Sequence, residues 1–467
     1  MQQETIAAVA TPAGSGGIGI VRISGALSLS ILQQIFVSGS PRQKTPPAGK
    51  PTFPSHVLRY GHIKDPVSNE VLDEVMAVFM QAPKSYTCED VVEIHCHAGH
   101  AAMQRILFLV LSRGARPAEA GEFTRRAFMH GRIDLSQAEA VIDLINAKTS
   151  GSQRIAIAGI KGLVNRKVQT LRDPLVRIKG MVEVAIDFPD EDAEILDKQE
   201  LASTLQNDVI TPLTHLIDEA GKGIILRDGA QVVLFGRPNV GKSSLMNTLL
   251  RQERALVTHI PGTTRDTIEE WMDFGGIACR LVDMAGVRDT DEPVEKMGVE
   301  RARQKCDQAD LILFMVDGAC GVTDEDIALA QEVQSRKTLL VVNKIDQADQ
   351  EQIEAIHRFF SSIQYVDISA KTGSHLVDLE QKIAALLTTL HGLDEVNGVC
   401  PNMRQKEALQ RALTAARTTS SAMARDLPPV FYAVDLQECI DALGEVTGEI
   451  TTDDVLDGIF SRFCIGK

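Results

Sequence analysis

In the stretch Gly236 to Ser244 (GRPNVGKSS), the first eight residues fit the pattern G-x-x-x-x-G-K-[ST]. They follow an apolar run, QVVLFG, and open a stretch of helical character, SLMNTLL. In that context the loop and the helix start both carry unsatisfied backbone N–H groups, and these face phosphate oxygens. Lys242 is placed to reach β- and γ-phosphates, and the Ser243 hydroxyl suits Mg2+. Four further motifs follow in order. PGTTRD supplies Thr264 as a second hydroxyl for Mg2+ in a switch loop. DMAG, running Asp283, Met284, Ala285, Gly286, ends an apolar segment with a water-mediated metal ligand and a glycine that senses the γ-phosphate. NKID, from Asn343 and Lys344 to Asp346, ends KTLLVV. A carboxylate there accepts from both N1–H and the exocyclic amine of guanine, and adenine would leave it unpaired. SAK (Ser369, Ala370, Lys371) brings a backbone N–H toward the guanine O6. The ordered set predicts GTP as the ligand.

The position after D-x-x-G carries further information. Small GTPases of the Ras type place a water-orienting glutamine there, and this chain has Val287. Hydrolysis must therefore use other groups or be slow and controlled. Arg265 and Arg288 lie nearby in sequence, but neither stands out as an arginine finger. Asn239, inside the phosphate loop, offers an extra carbonyl oxygen that could hold a monovalent cation where a finger's charge would otherwise act. Glu292, Glu295 and Glu300 are water-positioning candidates, and solvated helix carboxylates are the alternative reading of each.

These motifs need a scaffold. The apolar runs QVVLFG, ACRLVD, DLILFMVD and KTLLVVN alternate with helical segments. That pattern predicts a parallel sheet covered on both faces, in an α/β domain over residues 227–392. Residues 1–130 read as mixed α+β, with strands in GIGIVRISG and DVVEIHCHAG and a Pro-rich loop at 40–55. Helical periodicity occupies 131–226 and returns over 393–467. Ser136 is a plausible N-cap near the start, Thr451 or Thr452 caps the last helix, and Pro174 and Pro212 mark expected breaks or bends. The economical architecture is a multidomain chain, α/β plus all-α, in which one helical domain is split by an inserted P-loop domain. No stretch approaches the roughly 18 apolar residues of a membrane span. The N-terminus lacks the basic segment of a secretory signal. Eight cysteines without a C-x-x-C pair suit a reducing cytoplasm.

A net charge of −15 disfavours general nucleic-acid affinity, so such a contact needs a local patch. Arg154, Lys161, Arg166, Lys167, Arg172, Arg177 and Lys179 form one, with only Asp173 opposing. A solvated helix face is the alternative. EIHCHAGH sets Glu93, His95 and His97 on one strand face, which admits zinc or a polar ligand-contacting strand. The chain ends FCIGK, with Cys464 at the position of a prenylated C-a-a-X cysteine. Gly466, Lys467 and the acidic flank oppose a lipid anchor, leaving a buried thiol or a working one.

TPAGSGGIGIVRISG, GEFTRRAFMHGRIDLSQAEAV, VEVAIDFPDED, GRPNVGKSSLMN, PGTTRDTIEE and the terminal CIGK together resemble the MnmE (TrmE) tRNA-modification GTPases, in the same order from end to end. The resemblance implies an N-terminal domain that binds a one-carbon tetrahydrofolate (5-formyl- or 5,10-methylene-) and dimerises. It implies a homodimer that acts with the FAD-dependent partner MnmG (GidA), as a heterotetramer, on tRNA. The expected product is a carboxymethylaminomethyl or aminomethyl group at carbon 5 of the wobble uridine, coupled to K+-activated GTP hydrolysis in the cytoplasm. Carried over by motif, GTP contacts fall on Asn239, Val240, Gly241, Lys242, Ser243 and Ser244 and on the switch stretch Thr258, His259, Ile260, Pro261, Gly262, Thr263 and Thr264. Cation ligands fall on Asn239, Thr258, Ile260 and Thr263, and Mg2+ on Ser243 and Thr264. Glu295 matches the hydrolytic glutamate, and Arg22, Glu93, Arg132 and Lys467 match folate contacts, which sets Cys464 near the one-carbon unit. Met284 departs from the family's DTAG, Cys88 replaces a small residue, and Arg132 stands where some members carry lysine. A regulatory GTPase switch in ribosome or RNA assembly, without base chemistry, is the competing reading. It explains the nucleotide motifs equally well and leaves the folate-matching residues without a role.

Overall fold

The computed structural model describes residues 4–12, 14, 16–39, 53–188, 197–251, 269–283, 306–393 and 398–467. The chain divides into two compact units, Met1–Ile142 with Gly444–Lys467, and Asp143–Leu443.

The first unit is built on a seven-stranded sheet in the order β3-β4-β5-β6-β2-β1-β7. The strands are β1 Ile6–Val9, β2 Gly19–Ser24, β3 Phe36–Ser38, β4 Arg59–Lys64, β5 Val71–Met80, β6 Val91–Cys96 and β7 Arg116–Pro117. All neighbours are antiparallel except β1 with β7. The two strands expected in this region appear as β2 and β6. Alternation along β6 buries Val92, Ile94 and Cys96 and leaves Glu93 and His95 half-exposed on the other face. The buried face packs with Ile31, Leu32 and Ile35 of the helix Ser28–Ile35 and with Ile106 and Val110 of the helix His100–Leu111.

The helix Glu122–Met129 carries the GEFTRRAF sequence. Its Arg126 is buried and meets both Glu89 and Glu122, and Glu122 also takes Arg116 at 2.6 Å. Burial pushes the Glu122 carboxyl up, and the two guanidiniums with the Glu119 N–H outweigh it, holding it down at about 2. The helix Asp453–Phe460 closes this end, with Phe460 packed among Phe128, Leu135 and Phe463. The helix Leu135–Asn146 is capped by Asp134, whose Oδ1 accepts from the Gln137 N–H at 2.9 Å. Ser136, expected to cap, lies inside the helix and donates to that same carboxylate. Aspartate wins because its position, two residues earlier and just before the helix, lets it accept from the first turn.

In the second unit the strands are β8 Ala230–Phe235, β9 Glu269–Phe274, β10 Ile277–Asp283, β11 Leu311–Asp317, β12 Thr338–Asn343 and β13 Gln364–Asp367. Their order is β13-β12-β11-β8-β10-β9. The four anticipated apolar runs are β8, β10, β11 and β12. Successive residues of β8 enter different clusters, Val232 and Leu234 one and Val233 and Phe235 the other, as a sheet covered on both faces requires. The sheet is not wholly parallel, because β9 runs antiparallel to β10. The two-residue turn Gly275–Gly276, both at positive φ, permits only a hairpin there.

The remainder of this unit is helical, with helices Ser150–Ile160, Leu163–Asp187, Lys198–Thr204, Thr211–Asp228 and Met403–Ala424. Pro174 does not end its helix, which continues to Asp187. Thr170, four residues back, lies on an exposed face, where water can take the carbonyl that proline leaves unpaired. Pro212 sits in the first turn of Thr211–Asp228, directly after a π-helical stretch, Leu205–Ile210, that takes up the irregularity. Beside β9, Lys148 Nζ stands 3.1 Å over the ring of Trp271. Among the described residues no helix is long and apolar enough to cross a membrane.

Candidate functional site

The phosphate loop leaves β8 and enters the helix Lys242–Arg251. Gly236 has φ +148, and a Cβ there would collide with the Met315 carbonyl oxygen, so the sheet admits only glycine at the loop's start. Lys242 is buried and folds back, donating to the carbonyls of Gly236 at 2.8 Å and Arg237 at 2.9 Å. These contacts keep its ammonium at the loop's centre, where phosphate oxygens would replace the carbonyls. Ser243 and Ser244 are exposed at the helix start. Asn239 adopts a left-handed backbone, φ +63, a cost accepted where a side chain must be aimed.

The NKID and SAK motifs close on this loop. Asn343 is buried, donates from Nδ2 to the Val240 carbonyl at 2.8 Å and accepts at Oδ1 from the Ala370 N–H at 2.9 Å. One side chain thus ties the phosphate loop to the SAK segment. Lys344 donates to the Asn239 carbonyl at 2.8 Å. Asp346 accepts at Oδ1 from the Ser369 hydroxyl at 2.6 Å, and that bond foremost holds its carboxyl below the ordinary range. The carboxylate is thereby held ionised and in one orientation, as an acceptor of paired N–H donors must be. Lys371 is exposed at the rim. The switch residues Thr258, His259, Ile260, Pro261, Gly262, Thr263 and Thr264, the DMAG residues Met284, Ala285 and Gly286, and Glu292, Glu295 and Glu300 lie outside the described residues, as does the Asp283 side chain.

A second cluster forms in the first unit. Arg22 on β2 faces Glu93 on β6, because the antiparallel register pairs these two residues, and Nε meets Oε1 at 2.9 Å. Arg22 Nη1 donates to the Gly466 carbonyl at 3.0 Å, and its guanidinium lies 5.6 Å from the Phe123 ring centroid. The tail is seated by an antiparallel bridge between Ile465 and Ala120 and by a long bond, 3.5 Å, from the Gly121 N–H to the Cys464 carbonyl. The CIGK tail therefore lies against the strands bearing Arg22 and Glu93. Lys467 is half-buried there, and Cys464 is exposed rather than a core thiol. Arg132 stands apart in its contacts, over the Tyr86 ring at 5.0 Å.

Of the three residues considered as metal ligands, His95 Nε2 stands 3.4 Å from Glu93, while His97 turns to Asp73 at 2.7 Å. Among the described residues no three His, Cys, Asp or Glu side chains converge as a metal set. In the basic stretch, Arg154, Lys161, Arg166, Lys167 and Arg177 are exposed, whereas Arg172 and Lys179 are half-buried.

Comparison with known proteins completes these observations. The family model of the MnmE helical domain matches residues 135–464, and that of the GTP-binding protein TrmE N-terminus matches residues 5–132. The tRNA modification GTPase MnmE of Desulfotalea psychrophila is 43% identical over 99% of this chain and 98% of its own length. That of Clostridioides difficile is 42% identical over 99% of each, and that of Carboxydothermus hydrogenoformans 41% identical over 100% of each.

Proposed function

Because this chain belongs to the MnmE family of tRNA modification GTPases, we propose that it hydrolyses GTP to drive the modification of wobble uridine at carbon 5. In this reading it works as a homodimer in the cytoplasm with the FAD-dependent MnmG, adding a carboxymethylaminomethyl or aminomethyl group. A one-carbon tetrahydrofolate supplies the carbon unit.

The observation that supports the chemistry beyond GTP binding is the Arg22–Glu93–Gly466 cluster. Glu93 on that strand can accept paired N–H bonds from a pterin edge, and Arg22 and Lys467 can meet a glutamyl tail. Arg132 serves the same acidic tail from the direction of Tyr86. Seating of the CIGK segment would bring Cys464 to this site as a thiol able to act as base or nucleophile.

In the nucleotide site, Lys242 neutralises the β- and γ-phosphates, Ser243 and Thr264 offer hydroxyls to Mg2+, and Asp346 selects guanine. Asn239, with Thr258, Ile260 and Thr263, would hold K+ against the developing charge, and Glu295 would position water. The exposed arginines and lysines of residues 154–179 offer a surface for tRNA or for MnmG.

Two measurements test the proposal. Nucleosides from bulk tRNA of a strain lacking this protein should lack the wobble modification. Calorimetry with 5-formyltetrahydrofolate should detect binding to the isolated, folded chain. A regulatory switch predicts no heat of folate binding and unaltered tRNA.

A further inference from the structure

Asp317 closes β11 in the sequence FMVDGA, outside every nucleotide motif. It is nonetheless buried, with 5% of its surface exposed, and a buried carboxylate requires partners. Parallel pairing sets Asp317 directly beside Asn343. The next residue, Lys344, turns back with φ +65 and donates to Asp317 Oδ2 at 2.7 Å. The other carboxylate oxygen accepts the Ala319 N–H at 3.0 Å. Lys344 Nζ also donates to the Asn239 carbonyl at 2.8 Å. The ammonium thus bridges a fixed carboxylate in the sheet and a non-glycine phosphate-loop residue held in a left-handed conformation.

We propose that Asp317 is a positioning residue for the nucleotide site, acting through Lys344 to hold Asn239 and the phosphate loop in their binding conformation. This rests on the reading of the loop as a guanine-nucleotide site. The charge is what Asp317 supplies. Burial pushes its carboxyl up, and the Lys344 hydrogen bond and charge outweigh that and keep it below the ordinary range. A lysine without that anchor keeps the Asn239 carbonyl as its partner, but its long side chain is free to swing toward solvent, and the loop loses its link to the sheet. The same segment makes a second, separate contact with the loop. Asp326 on the helix Asp324–Val333 is fully buried and stands 3.3 Å from Arg237 Nε. The β11 strand end and the helix after it therefore each set a buried carboxylate toward the phosphate loop, and Asp317 is the one linked, through Lys344, to Asn239.

The test is a double-mutant cycle read by stopped-flow release of a fluorescent GDP analogue from the full chain. Asp317→Asn keeps the shape and the Ala319 contact and removes the charge. It should release the analogue roughly tenfold faster or more, the scale of one lost hydrogen bond to a charged group. Lys344→Met should also speed release, and adding Asp317→Asn to it should change nothing further. If Asp317→Asn does not fold, Asp317→Glu, which keeps the charge and displaces it by one methylene, replaces it in the cycle. An unchanged rate in the single variant, or an equal acceleration with and without Lys344, overturns the proposal. An unmodified chain that binds no guanine nucleotide would instead remove the reading beneath it.

Discussion

Replacing Gly466 by alanine isolates the role of the tail. Gly466 has φ +96, and an added Cβ would collide with the Val9 carbonyl oxygen and lie 3.0 Å from Ala10 Cα. Both are main-chain groups at the end of β1 and cannot step aside as a flexible side chain can. An L-residue in that backbone region costs about 1–2 kcal/mol. Relieving the collision moves the Gly466 carbonyl off Arg22, a charged hydrogen bond worth about 1.5–3 kcal/mol. The docked tail should therefore lose about 3 kcal/mol or more, which is about a hundredfold in the docking equilibrium. Few contacts oppose this loss, namely the Ile465–Ala120 bridge and the long Gly121 to Cys464 bond. Amide hydrogen exchange over residues 461–467 should then approach that of a free segment, and calorimetric affinity for 5-formyltetrahydrofolate should fall on the order of a hundredfold. Gly458→Ala is the control, because a Cβ at that helical position meets nothing within 4 Å. A Gly466→Ala chain whose tail exchanges freely while folate binds at unmodified affinity would refute the reasoning, since the tail would then lie outside the site.

Three further outcomes are expected. Glu295→Ala should slow GTP hydrolysis at saturation by roughly a hundredfold or more while affinity stays nearly constant; a loss confined to affinity would assign water positioning to another group. GTP turnover should rise in potassium over sodium, and Asn239→Ala should abolish that preference, so equal rates in the two salts would contradict the cation role. Burial foremost, and then the Arg280 charge, push the Lys148 ammonium down from 10.5 to about 8. Trp271 beneath it is the chain's single tryptophan, so emission should titrate with a midpoint near 8 and lose this titration in Lys148→Met. The folded pKa is the lower one, so the unfolded chain holds the extra proton between 8 and 10.5 and stability should rise with pH across that window. An emission midpoint at the ordinary lysine value would show that the ring face restores the charge.

The nucleotide site was legible because each of its motifs is contiguous. A phosphate is bound largely by successive backbone N–H groups, so Gly236 to Ser244 encode the loop locally, and the apolar runs around it encode the strands that present it. The errors were also local. Ser136 and Asp134 are both good caps two residues apart, and only the hydrogen bond to Gln137 distinguishes them. Pro174 reads as a break because sequence does not show that Thr170, whose carbonyl it leaves unpaired, faces water. The edge strand β9 escaped the parallel pattern because EEWMDF carries three carboxylates, where the central strands run mostly apolar.

Residue types by themselves determined the guanine specificity expected at Asp346, the phosphate contact at Lys242 and the acidic character of the chain. Tertiary structure alone decided three things. It brought Gly466 onto Arg22 across 444 residues of sequence. It set Arg22 opposite Glu93 by strand register, where a slip of one residue would turn the two side chains to opposite faces. It placed Asp317 beside Lys344, a carboxylate that no motif marks. The physical reason is common to all three. A local pattern specifies which groups a segment can offer, whereas the partner of a buried charge is chosen by the packing of distant apolar residues, and that choice is written across the whole core.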